Sequence, residues 1–367
     1  MKNSYSDLEK LKNEMLTCTM CGFCKNVCPV FLDAGWDTGS PRGRMTMAYG
    51  LVTGELEPDE NLVNRIFQCT QCRDCARRCP SSVKCPEVVL SARRELVKRG
   101  QAVETQMAVA KNIIHTGNLY GDLEVAYPEQ EGEVPLFIGC QHLSRPNSTK
   151  RNILLMQRLG IKPRIVKEVC CGFPLEVMGF EEEHEKQVER LKEAFSFDEE
   201  PILTFCPGCK VHLEKISGKK ILHILQEINN RLAKEQIAKP VNAKITYHDP
   251  CDLSRGAGIF QEPRDILKKL GCEIIEMKYI KNASRCCGGG GGILTWDSGL
   301  SERMSMARIR EAIATGAEMV VTACPTCEQT LKKGALKITE ENGNKPFPVV
   351  HILDMLFKAT KQSHLPS

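Results

Sequence analysis

Eighteen of the twenty cysteines in this 367-residue chain fall into short-spaced sets. Two of the sets are alike. Cys18, Cys21, Cys24 and Cys28 lie in CTMCGFCKNVCP, and Cys69, Cys72, Cys75 and Cys79 lie in CTQCRDCARRCP. Each run is C-x2-C-x2-C-x3-C-P. At that spacing three thiolates wrap one corner of a cubane [4Fe–4S] cluster, and the fourth, ahead of the proline, serves a second cluster. One cubane is therefore expected on Cys18, Cys21, Cys24 and Cys79, and the other on Cys28, Cys69, Cys72 and Cys75. Zinc also takes four thiolates, but two full copies of the C-P run point to iron and sulfide. Two such clusters side by side make a path for single electrons.

The other ten form two sets of five in one order: a lone cysteine, a Cys-Cys pair, then C-P-x-C. The first set is Cys140, Cys170, Cys171, Cys206 and Cys209, and the second is Cys251, Cys286, Cys287, Cys324 and Cys327. The pair in RCCGGGGG, Arg285–Gly292, invites other readings. A phosphate loop needs G-x4-G-K-[ST], and Ile293, Leu294 and Thr295 stand there instead. A disulfide between adjacent cysteines closes a strained ring. Five thiolates exceed the four that zinc or a cubane requires, so a larger or less regular cluster is expected at each set. Gly172, Gly288 and Gly289, which follow the pairs, would let backbone approach that cluster and aim N–H groups at its sulfides. Cys85 and Cys272 stand outside every set and are expected to be buried core thiols.

The elements that must position these sets repeat too. From VPLFIGCQHLSR to ILHILQEI, and again from AKITYHDPCDLSR to HILDML, the order is strand, Cys loop, helix, strand, CCG loop, helix, strand, CPxC loop, helix. Short β-rich runs at Leu136–Ile138, Lys244–Tyr247 and Met319–Thr322 read as buried strands. Strands alternating with helices give a parallel sheet, whose sites gather at the carboxyl ends of the strands. The fold expected is α/β for the doubled region, with two pseudo-symmetric Rossmann-like lobes, behind a mainly helical two-cluster ferredoxin-like domain. The divisions expected are 1–100 for that domain, 101–133 for a connector, 134–239 for the first lobe and 240–367 for the second.

Charge is nearly balanced, 50 Lys and Arg against 46 Asp and Glu, which argues against nucleic acid as a partner. No apolar run is long enough to span a membrane, and the N-terminal stretch lacks a signal-peptide h-region. A cytoplasmic chain whose thiols bind metal is expected, since disulfides are rare there. Arg42 and Arg44, between the two runs, could offset cluster charge or simply face solvent. His142, Arg145, His248, Arg255, Lys210 and His212 flank the repeated cysteines and could hold an anionic substrate, or cap strands. His223 and His351 recur in the two HIL segments and read as structural.

The doubled C-xn-CCG-xn-C-P-x-C pattern resembles the catalytic part of heterodisulfide reductase, and the ferredoxin unit fused ahead of it resembles the D-type polypeptide of that enzyme. The resemblance spans nearly the whole chain. It implies two noncubane [4Fe–4S] clusters, one on each five-cysteine set. It also implies reductive cleavage of the coenzyme M–coenzyme B disulfide between them, with single electrons fed by the two cubanes. The chain has no flavin motif and no haem C-x-x-C-H of its own. A membrane cytochrome b partner is thus the implied donor, which would hold the chain peripherally at the inner face of the membrane. The iron–sulfur subunits of glycolate and D-lactate oxidases are similar as well, sharing the ferredoxin runs, SPRGR and both CCG pairs. For them the implied partner is a flavoprotein dehydrogenase, and the role is electron transfer. Their last CxxC is often incomplete, whereas CPGC and CPTC are both whole here, which favours the disulfide-reducing reading.

Overall fold

The computed structural model describes residues 6–121, 130–165, 168–233, 237–343 and 345–360. The N-terminal part is helical. Pro41–Thr53 begins at a proline, is capped by Ser40, whose hydroxyl accepts the Gly43 N–H, and stops at left-handed Gly54. Glu60–Phe67 begins at Asp59, whose carboxylate accepts from Leu62 N. These helices and Cys85–Lys98 close on a core that includes Met45, Leu51, Ile66, Phe67, Val88 and Leu96. Both cysteine runs form loops and single turns at its rim.

Two four-stranded parallel sheets follow. The first comprises β1 (Val134–Phe137), β2 (Pro163–Ile165), β3 (Ile202–Thr204) and β4 (Ile221–His223), in the order β2-β1-β3-β4. The second comprises β5 (Lys244–His248), β6 (Glu273–Ile274), β7 (Met319–Thr322) and β8 (Val349–His351), in the order β6-β5-β7-β8. The register repeats with the topology. Phe137 pairs with Thr204 and Thr204 with His223, while His248 pairs with Thr322 and Thr322 with His351. The pattern of three strands per lobe missed β4 and β8. Each is three residues long and turns directly into a helix, too short for a periodic signal. His223 and His351 make that turn. Their Nδ1 atoms accept from Leu225 N (3.4 Å) and Leu353 N (3.3 Å), and the His223 Nε2–H donates to the Phe205 carbonyl (3.0 Å).

The lobes are joined reciprocally. Helix Pro146–Arg158 of the first packs on Ile352–Ala359 of the second, and Ile224–Arg231 of the first packs on Glu262–Lys269 of the second. Each contact pairs a lobe's first long helix with the other lobe's last helix, as a twofold axis requires. One apolar core runs through both lobes, from Leu136, Met156 and Ile228 to Tyr247, Leu267 and Leu356. The 101–133 segment contributes more than a tether, because its helix Glu104–Thr116 packs on helix Glu181–Ala194 and on the turn Ile293–Trp296.

Candidate iron–sulfur redox site

Every repeated C-P-x-C sits where a parallel sheet collects function. Cys206 follows β3 and caps helix Pro207–Ser217, and Cys324 follows β7 and caps helix Pro325–Asn342. Proline at the first helical position sacrifices no needed N–H, and the helix N-terminus favours the negative charge of a thiolate set. The twofold recurs here. Helix Pro207–Ser217 packs on the Asp252–Gly256 turn of the other lobe, and helix Pro325–Asn342 packs on the Cys140–Leu143 turn.

Within each lobe the five thiols form a connected chain. Cys140 meets Cys170, Cys171 meets Cys170 and Cys209, and Cys209 meets Cys206. In the second lobe Cys286 meets Cys251 and Cys287, Cys287 lies 3.2 Å from Cys327, and Cys327 meets Cys324. All of these cysteines except Cys286 line one cavity of ≈ 360 Å³ between the lobes. Cys286 turns the other way and meets Cys72 of the second ferredoxin-type run. The thiols of that run and of the repeat therefore touch.

The residues present fit iron–sulfur clusters. Cys28, Cys69, Cys72 and Cys75 line a single small pocket. Burial pushes the Cys28 thiol up to about 12, so a cationic ligand is needed to hold it as thiolate. Arg44 supplies part of that charge. It is 1% exposed and has no carboxylate partner among the described residues. Its Nε donates to the Arg65 carbonyl (2.7 Å), its Nη1 lies 4.0 Å from Cys28 Sγ, and its Nη2 has no partner among those residues. Arg42 differs. Its Nη1 donates to the Met20 carbonyl (2.7 Å) and its other nitrogens grip Asp37, above Cys18 and Cys24. Cys79 ends helix Asp74–Arg78, which packs on the Lys25–Val27 turn of the first run. Cys85 is buried in the pocket wall beside Cys75, nearer to a cluster position than its spacing suggested. Cys272 is part of the shared core.

The glycines divide into two jobs. A Cβ on Gly289 would stand 3.5 Å from Cys287 Sγ and one on Gly139 3.1 Å from Cys209 Sγ, and the Gly288 N–H points at Cys286 Sγ (3.4 Å). Gly172 flanks the first pair, with His212 Nε2 3.7 Å from where a Cβ would be. Gly290, Gly291 and Gly292 instead press on Thr70, on Cys69 and on Met178. They form the seam between the second run and both lobes.

Sequence reasoning missed the residue that holds that seam. Arg93 is fully buried. It donates to the carbonyls of Phe67 (2.8 Å) and Cys69 (2.5 Å) in its own domain, Val177 (2.6 Å) in the first lobe and Gly291 (2.8 Å) in the second. Nothing in ARRELVK marks an arginine in an amphipathic helix as a four-way clamp.

Of the six groups suggested for an anionic substrate, three are paired with carboxylates or carbonyls, His142 and His212 are buried among other side chains, and His248 stands beside Cys287 and Cys327. Arg145 pairs with Glu328 (2.9 Å), and Lys210 with Glu214 (2.7 Å). Arg255 donates to the carbonyls of Cys72 (2.6 Å), Asn282 (3.1 Å) and Ser284. His142 is buried between Phe205 and His351, and His212 lies against Glu176 (3.1 Å) and His184 (3.1 Å). His248 Nδ1 accepts from Arg308 Nε (3.1 Å), and one nitrogen of its ring shares a space 4.8 Å across with the Cys287 and Cys327 sulfurs. Its Nε2 has no hydrogen-bond partner among the described residues.

Comparison with known proteins agrees with this layout. The 4Fe-4S dicluster domain matches residues 14–83, and the cysteine-rich CCG domain matches twice, over 134–214 and 245–332. The D-type polypeptide of dihydromethanophenazine:CoB–CoM heterodisulfide reductase from Methanosarcina barkeri is 29% identical, over 88% of this chain and 89% of its own. The B-type polypeptide of fumarate reductase (CoM/CoB) from Methanothermobacter marburgensis is 28% identical, over 96% and 73%. EtfAB:quinone oxidoreductase of Syntrophomonas wolfei is 26% identical, over 92% and 57%. A crystal structure of a hypothetical protein from Helicobacter pylori shares the fold, with TM-score 0.58 and 10% identity, over 89% of this chain and 68% of its own. Among the described residues no helix is long and apolar enough to cross a membrane. With a dicluster domain ahead of a doubled CCG domain, the chain is an iron–sulfur oxidoreductase related to the D-type polypeptide of heterodisulfide reductase.

Proposed function

We propose that this protein reductively cleaves a small-molecule disulfide in the cavity between its lobes. The heterodisulfide of coenzymes M and B, named for its relatives, is one case. One observation carries the reading: five thiols of the first set and four of the second line one space between the lobes. The reaction is RSSR′ + 2e⁻ + 2H⁺ → RSH + R′SH, with electrons from an external one-electron donor and protons from water. Cys140, Cys170, Cys171, Cys206 and Cys209 would hold one noncubane cluster, and Cys251, Cys286, Cys287, Cys324 and Cys327 the other. Cys18, Cys21, Cys24 and Cys79 would hold one cubane, and Cys28, Cys69, Cys72 and Cys75 the second. When bound, these clusters store and pass single electrons.

The chain's own residues do the rest. The shared core fixes the distance between the two sets, and the CPxC helices fix their orientation. The contact of Cys72 with Cys286 makes the second lobe the near neighbour of the ferredoxin-like domain. Electrons enter at the first run, where Cys21 is exposed and Met20, Phe23, Leu32 and Trp36, all within sixteen residues of it in the chain, are exposed apolar side chains that suit the surface of a partner protein. That partner is a membrane cytochrome b or a flavoprotein dehydrogenase.

Anaerobically purified protein should contain ~16 Fe per chain and oxidise a reduced viologen when given a disulfide. A value near ~8 Fe would leave only the cubanes and remove the basis of the reading. A second reading, electron transfer within a flavin-linked dehydrogenase, is favoured by the similarity to the EtfAB:quinone oxidoreductase. It requires turnover with a flavoprotein donor and none with any disulfide.

A further inference from the structure

We infer that His248 donates its Nε2–H to the Cys287 sulfur and so makes the second five-cysteine set the easier of the two to reduce. The inference rests on the noncubane reading of that set and is indifferent to which disulfide is cleaved. The twofold relation between the lobes supplies the comparison. Cys171 and Cys209 of the first set share an apolar cluster with Phe137, at the end of β1. Their counterparts Cys287 and Cys327 have His248 instead, at the end of β5, with one ring nitrogen within 4.8 Å of both sulfurs. The strand register makes these two positions equivalent, since Phe137 pairs with Thr204 and His248 with Thr322.

Arg308 decides which nitrogen carries the proton. A guanidinium N–H can only donate, and Arg308 Nε meets His248 Nδ1 at 3.1 Å, so Nδ1 presents its lone pair. The proton then sits on Nε2, which is buried and has no other hydrogen-bond partner among the described residues. In that tautomer Nε2 has no lone pair to give to iron and acts as a donor. Arg308 is itself buried and held by Glu311, by the Tyr279 carbonyl (3.0 Å) and by the Ser284 hydroxyl (3.3 Å). Glu311 balances its charge, so Arg308 acts as a positioning residue for the imidazole. An N–H aimed at a ligand sulfur favours the more negative, reduced state of a cluster and raises its potential. Phe137 offers the first set no such donor. Cys286, next to Cys287, also meets Cys72 of the second ferredoxin-type run. The set with the extra donor is thus the one nearest the electron path, and one electron from the external donor comes to rest there with no bond made or broken.

The test is an EPR-monitored titration of anaerobic holoprotein carrying ~16 Fe per chain, with dithionite as reductant. His248→Phe copies the first lobe. It should lower the equilibrium constant for reduction at least ~10-fold at one midpoint, about 59 mV for a single electron, and leave the other midpoints in place. His248→Gln, whose amide N–H can replace Nε2–H, should recover most of that shift. Unchanged midpoints in iron-replete His248→Phe would overturn the inference and leave the noncubane reading standing. Iron near ~8 in the unaltered protein would overturn both. A second measurement needs no variant to fold. With 15N-histidine incorporated, pulsed EPR of the reduced, unaltered protein should show a weak nitrogen coupling to one centre. A strong coupling, as from nitrogen bound to iron, or no coupling at all, would overturn the hydrogen bond.

Discussion

Gly291 offers the sharpest test of how the domains are joined. A Cβ there would sit 2.6 Å from the Cys69 carbonyl oxygen and 2.6 Å from the Thr70 carbonyl carbon, at a backbone φ of +63°. That is roughly 1 Å short of an ordinary contact. Gly291→Ala therefore carries two costs. The left-handed backbone costs ~1–2 kcal/mol, and the overlap with a neighbouring main chain adds ~1–3 kcal/mol. Gly316 isolates the first cost, since its φ is +74° and a Cβ there would meet nothing within 4 Å. The melting midpoint of Gly291→Ala should fall below that of Gly316→Ala by about 2–12 °C, at ~2–4 °C per kcal/mol. Because the displaced backbone belongs to Cys69, Gly291→Ala should also lose one cubane, reading ~12 Fe per chain against ~16 in Gly316→Ala, with the matching loss of reduced-cluster EPR signal. If the two variants match in midpoint and iron, the glycine run is not the seam described above.

Other outcomes follow from single residues. Arg44→Met should keep the iron but lower the reduction potential of the Cys28-containing cubane by on the order of 100 mV, one buried charge acting over ~7 Å, as read by EPR-monitored titration. Arg93→Lys cannot reach four carbonyls, and each one orphaned costs ~1–3 kcal/mol, so accelerated proteolysis between the ferredoxin-like domain and the lobes is expected. Burial lowers the His223 imidazole to about 3, so the unfolded chain binds its proton first, and stability present above pH 6.5 is lost as pH falls from 6.5 toward 3. The change amounts to up to about 5 kcal/mol, and His223→Gln should flatten that part of the stability-versus-pH profile.

Spacing carried most of the chemistry. C-x2-C-x2-C-x3-C-P and the doubled CCG pattern announce their sites because cluster ligation tolerates little change in loop length. The parallel sheets were legible from the same repeat. What stayed hidden depends on contacts between distant segments. Arg93 and Gly290–Gly292 gain their roles only when three parts of the chain meet. Val109 and Leu119 looked like connector residues and line the cavity instead. The cations near the cysteines looked available because their partners, such as Glu328 for Arg145, lie up to 183 residues away. Local pattern reports which groups exist, whereas neutralisation is settled by tertiary pairing.

The reciprocal packing of the lobes has a further consequence. Two separate copies of one lobe, docked about that axis, would show any guest two identical faces. Fusing the copies into one polypeptide leaves each free to drift, and they have drifted at the strand ends. The position that is Phe137 in the first sheet is His248 in the second, by matched pairing with Thr204 and Thr322. One sulfur set is thus backed by a hydrocarbon ring, and the other by an imidazole steadied by Arg308. The cavity has a head and a tail, and a guest with two unlike halves has a preferred way round.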